Sequence, residues 1–226
     1  MLAWSRPDPQ RLLRAAAELV LAGHEVVLEY SSARGDDADA ELTDLVARAH
    51  AAGLAGACEL TVPVGRLGPV AARRLADGAI GAGMAVAFSG PAGQVDALAE
   101  TVPGTGVVVP AAAPRADVRC SRLDAPRVRL TEGRGPSAGL SFVRCLNALM
   151  ARSAQLGIAA TDPRLIAITG ERAVWHGRTP DSWEYVMPHG VRVEEQQRLT
   201  AAGHRVRVTL PTRGGFAVRR VLAGLA

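Results

Sequence analysis

Short runs of β-branched and aliphatic residues alternate with Ala-, Leu- and Arg-rich segments of helical period, and they do so eight times. The runs are EVVLEY (25–30), GACELTVPV (56–64), MAVAFS (84–89), TGVVVPA (105–111), RVRLTEG (127–133), GIAATD (157–162), WEYVMPHG (183–190) and HRVRVTLPT (204–212). Each precedes a helical segment, the last reading as a closing helix from Phe216 to Leu225. Strands that alternate with helices require right-handed crossovers and a parallel sheet. Eight such units close naturally into a (β/α)8 TIM-like barrel, which predicts an α/β single domain spanning residues 1–226. Residues 1–23 precede the first strand and hold one leading helix, with Asp8 and Pro9 at its start and Gly23 as its stop. Residues 24–226 carry the eight units. An open doubly wound sheet is the competing arrangement, and it is weaker because no G-x-G-x-x-G follows any strand.

Composition narrows the chemistry. Hydrophobic residues make up 48% of the chain and aromatic ones only 4%, so the core is aliphatic. There is no lysine: all 26 basic residues are arginine, which excludes a Schiff-base or general-base lysine. The net charge of +4 is mild, and the arginines are scattered among acids rather than gathered into a stripe, which argues against a nucleic-acid platform. Cys58, Cys120 and Cys145 form no C-x-x-C pair. Their odd number favours neither a disulfide framework nor a zinc site, so no metal is expected and a reducing cytoplasm is. No apolar run reaches the length of a membrane span and no secretory pattern opens the chain, so no integral membrane association is expected.

In a barrel of this kind, chemistry sits at the C-terminal ends of the strands. The residues read there are Glu29 and Tyr30, Thr61 and Pro63, Ser89, Pro110, Arg129 and Glu132, Thr161 and Asp162, Glu184, Met187 and His189, then Thr209 and Thr212. No nucleophile elbow, zincin helix or P-loop accompanies them. Asp162-Pro163 has a plain structural reading, with Asp as N-cap and Pro at the first helical position. Glu132 and His189 form a conceivable acid–base pair. Arg219 and Arg220 stand side by side in GGFAVRRVLAGLA. Two adjacent guanidinium forks can clamp one carboxylate, or one can reach solvent while the other pairs with a neighbouring helix.

Several stretches together resemble the proline dehydrogenase family. WEYVMPHGVRVEEQQRLTAAGHRVRVTLPTRGGFAVRRVLAGL is similar to that family's C-terminal stretch F-E-x-Q-M-L-Y-G-[VI]-R, E-Q-x-x-L, G-x-x-V-R-V-Y-[VL]-P and closing R-R. IAATDPRLI resembles its T-H-D segment, VRLTEG its R-L-V-K-G, and LTVPVGRLG its S-x-K-L-S-x-L-G strand. The resemblance runs from about residue 23 onward and is strongest in the last third. It implies FAD-dependent oxidation of L-proline to pyrroline-5-carboxylate. It further implies that Arg219 and Arg220 hold the substrate carboxylate, and that Arg129, Asp162 and Glu184 take positions that serve the flavin. Other positions of the pattern are replaced. Pro63 stands for a lysine, Ser89 for an acid, Pro110 for a glutamine, Glu132 for a lysine, Thr161 for a histidine, His189 for a tyrosine and Ala223 for a glutamate. Two functions therefore stand open. One is a flavoprotein acting on L-proline or a related secondary amino acid. The other is a catalytically degenerate barrel, a pseudoenzyme, that binds a small carboxylate, a protein partner or a second copy of itself without flavin.

Overall fold

The structure is a computed structural model, and it describes residues 9–30 and 37–212. Eight strands run in parallel and close on themselves in chain order: β1 (Glu25–Glu29), β2 (Cys58–Pro63), β3 (Ala85–Ser89), β4 (Gly106–Pro110), β5 (Arg127–Thr131), β6 (Gln155–Ala159), β7 (Trp183–Pro188) and β8 (Val206–Pro211). β8 returns to β1 with Val26 opposite Val208 and Leu28 opposite Leu210, so no sheet edge is left. The (β/α)8 barrel expected from the eightfold alternation is the fold observed.

The helices form an outer layer: α1 (Pro9–Leu21), α2 (Ala38–Ala51), α4 (Pro69–Gly81), α5 (Ala92–Thr101), α6 (Ala116–Arg122), α7 (Ala138–Met150), α8 (Pro163–Trp175) and α9 (Val193–Ala201). A one-turn helix, α3 (Val64–Leu67), lies between β2 and α4 and was not evident from periodicity. The leading helix α1 packs on both β1 and β8, and covers the seam where the barrel closes. Its stop is Gly23, which adopts φ 85°, and the amide of His24 bonds back to the carbonyl of Leu19. The closing helix read at Phe216–Leu225 lies outside the described residues, as do Arg219 and Arg220.

Alternation along each strand separates two interiors. Outward residues such as Val26, Leu28, Leu60, Phe88, Val109, Leu130, Ile158, Met187 and Leu210 join one apolar core with the helices. Val27, Ala87, Val108 and Val186 are equally buried but stand apart from that core, on the inner face. Barrel interiors are commonly filled by bulky branched side chains. Here the inner face instead carries small residues beside charged ones. A methyl added at Gly157 would lie 3.1 Å from Val186 Cγ2 and 3.5 Å from Arg129 Cγ, so glycine there makes room for the arginine. Gly106 stands in the same relation to Arg127, whose Cβ would be 3.3 Å from an added methyl.

Candidate functional site

The barrel has two chemically distinct ends. At the C-terminal mouth, four strands finish on proline: Pro63, Pro110, Pro188 and Pro211. Proline ends a strand cleanly because it has no N–H to donate. A cavity of about 240 Å³ opens there, bounded by Glu29, Glu132, Thr131, Thr161, Thr209 and the two last prolines. Among the described residues its lining holds two carboxylates and no basic side chain.

Glu132 follows the end of β5, and its carboxylate reaches across to the loop after β6. It accepts from the amide of Thr161 at 3.2 Å, the hydroxyl of Thr161 and the amide of Asp162 at 3.4 Å. Thr161 and Asp162 therefore lie beyond β6, which ends at Ala159 rather than running to residue 162 as the sequence suggested. Asp162 is the N-cap of α8. Its Oδ1 accepts from the amide of Arg164 at 2.9 Å, and Pro163 takes the first helical turn. The structural reading of Asp162-Pro163 is the one observed. A wider depression of about 650 Å³ beside the mouth is bounded by Glu132, Asp162, Arg134 and Arg192.

At the N-terminal end, strand starts converge on an ionic lattice inside the barrel. Glu59 on β2 accepts from Arg129 Nη1 at 3.1 Å through one oxygen and from Arg127 Nη2 at 2.7 Å through the other. Arg129 also donates to the hydroxyl of Thr61 at 2.5 Å. On the opposite arc, Arg207 Nε donates to Glu184 at 2.7 Å, and its Nη2 pairs with Glu25. Arg205 lies 3.3 Å from Glu25 and 3.5 Å from Glu184. Burial pushes the Glu184 carboxyl above the usual carboxylate range, against the opposing pull of Arg207 and Arg205.

This corrects the placements of Glu184 and Arg129. Glu184 is the second residue of β7 and lines the N-terminal cavity, not the mouth, because β7 begins at Trp183. Arg129 sits in mid-strand with its guanidinium turned toward Glu59 and Thr61, on the same side as that cavity. Of the residues read as flavin positions, only Asp162 lies on the C-terminal side of the barrel, beside the mouth, and there it caps a helix.

Glu59, Arg207 and Arg205 were not singled out from the sequence. Their signal was present: R-V-R occurs at the start of both β5 and β8, as Arg127-Val128-Arg129 and Arg205-Val206-Arg207. Arginines two apart in a strand share a face. In a strand covered outside by helices, that face is the barrel interior.

Solved structures place this architecture. Proline utilization A from Bdellovibrio bacteriovorus, inactivated by N-propargylglycine, matches with a TM-score of 0.78 at 12% identity, over 90% of this chain and 30% of that one. The chain has a proline dehydrogenase-like fold. A Bradyrhizobium japonicum proline utilization A variant matches with a TM-score of 0.62 at 15% identity, over 83% of this chain and 26% of that one. A citrate synthase variant, SbnG, shares the barrel at a TM-score of 0.52 and 10% identity, over 86% of this chain and 89% of that one. The chain thus spans about a quarter to a third of the length of the proline utilization A proteins it matches. No protein-family model and no curated protein matches it. At these identities the likeness is one of fold.

The described lining of the mouth cavity is a poor fit for a flavin. A protein tunes and holds that group with hydrogen bonds and charge near its ring, and with cations at its phosphates. Here the described lining of the central cavity is acidic, the four strand-end prolines have no N–H of their own, and Arg129 is committed to Glu59 and Thr61, while Arg134 and Arg192 stand only in the neighbouring depression.

Proposed function

We propose that this proline dehydrogenase-like barrel binds a small amino acid, L-proline or a close relative, at its mouth and does not oxidise it through FAD. The observation that carries this reading is the cavity bounded by Glu29 and Glu132, acidic where the family pattern has a lysine. A zwitterion brings both signs of charge. Its ammonium is complementary to the two carboxylates, and its carboxylate calls for arginine. Arg219 and Arg220, which the family resemblance assigns to that carboxylate, supply it in this reading. The resemblance also offers the flavoprotein reading, in which Arg129 and the arginine pair serve FAD-dependent proline oxidation. The acidic mouth weighs against it.

Titration calorimetry with L-proline tests the proposal. One-to-one binding that is lost in Arg219→Ala and weakened about tenfold or more in Glu29→Gln supports it. A heat signal no larger than that of glycerol would overturn it. Steady-state turnover of proline with FAD and an artificial electron acceptor would establish the flavoprotein reading instead.

A further inference from the structure

We infer that the N-terminal cavity of the barrel is a second binding site, built for a small oxyanion. Its volume is about 250 Å³. At roughly 30 Å³ per water, that is space for about eight non-hydrogen atoms. The small inner residues Ala85, Ala87, Gly106 and Gly157 leave the space, and the lattice of charged side chains walls it.

Among the described residues of its lining, Arg127, Arg129, Arg205 and Arg207 meet Glu25, Glu59 and Glu184, four cations to three anions, and Asp181, outside the lining, acts on Arg205. The deep members are shut away from water: the side chains of Arg129, Arg207 and Glu59 are each 7% exposed. Arg129 and Arg207 are paired with Glu59 and Glu184, so the surplus of the lining falls on the rim arginines, Arg127 and Arg205, where an arriving anion can meet it. The rim is open. The Arg127, Arg205 and Glu25 side chains are 27%, 37% and 47% exposed, so an ion can enter between β1, β5 and β8. Guanidinium forks suit planar or tetrahedral oxyanions, carboxylate or phosphate, and the volume admits ions the size of malonate or inorganic phosphate. This site lies at the end of the barrel opposite the mouth and stands independently of the amino-acid reading.

The test is calorimetric titration of the whole chain with malonate and with inorganic phosphate at constant ionic strength, chloride being the control. One-to-one binding of either ion is expected, and the tighter of the two gives the ligand class. Two rim variants read the charge directly, with circular dichroism confirming the fold. Arg205→Gln removes one cation of the rim and should weaken binding about tenfold or more. Glu25→Gln removes an anion of the rim and should tighten binding. Absence of saturable binding by both ions would overturn the proposal, and so would affinities that the two variants leave unchanged.

Discussion

Glu59 is the residue on which the barrel interior turns. One carboxylate answers two guanidinium groups, Arg127 and Arg129, in a nearly closed space. Removing one partner of a buried pair leaves the other charge uncompensated, at a cost of about 3–5 kcal/mol. Glu59→Gln should lower stability by that amount in urea denaturation, and a loss below about 1 kcal/mol would show that water replaces the carboxylate. Asp162→Ala should cost far less, about 1 kcal/mol, because it removes only an N-cap. The thiols offer a third check at this scale. Cys58, Cys120 and Cys145 are all buried, and burial pushes the Cys58 thiol up to about 11. At pH 8 the native protein should react with no thiol reagent within minutes, whereas the chain in denaturant should expose three thiols. Rapid labelling of the folded protein would contradict the packing described.

At the scale of the element, the inner faces of β5, β7 and β8 act as one unit, since Arg129, Glu184, Arg205 and Arg207 share a cavity wall. Glu184 makes that unit sensitive to pH. Its carboxyl is raised in the folded state, so the folded protein holds the proton more tightly than the unfolded chain does. Stability from this group is therefore greatest at low pH and falls as pH rises from the ordinary glutamate value of about 4.3. Glu184→Gln should flatten the dependence of the urea midpoint over that interval, and an unchanged slope would assign it to other groups. Elements also show where the sequence could be read and where it could not. The eight strands were legible because their outward residues, from Val26 to Leu210, are apolar and their flanks carry helix stops. β6 was misplaced because GIAATD is short and weakly patterned, and its true start at Gln155 is polar. The ionic lattice was harder to read. Its partners are 21 to 182 residues apart in the chain, as in Glu184–Arg205 and Glu25–Arg207, and only closure of the barrel brings them together. The doubled R-V-R marks the arginines, but nothing local says which glutamates answer them.

For the whole molecule, the fold and the chemistry point in different directions. The fold matches proline utilization A over nine-tenths of the chain, at 12% identity. The outer layer keeps what a barrel needs, since an aliphatic interface tolerates exchange of one branched residue for another. At the mouth, prolines and carboxylates occupy the strand ends. In the function proposed above, this mouth binds an amino acid and retains no flavin. The most direct test is the visible absorption spectrum of the purified protein after incubation with FAD and desalting. A protein without flavin bands is the predicted result. Flavin bands that survive desalting and bleach on addition of proline would contradict the account.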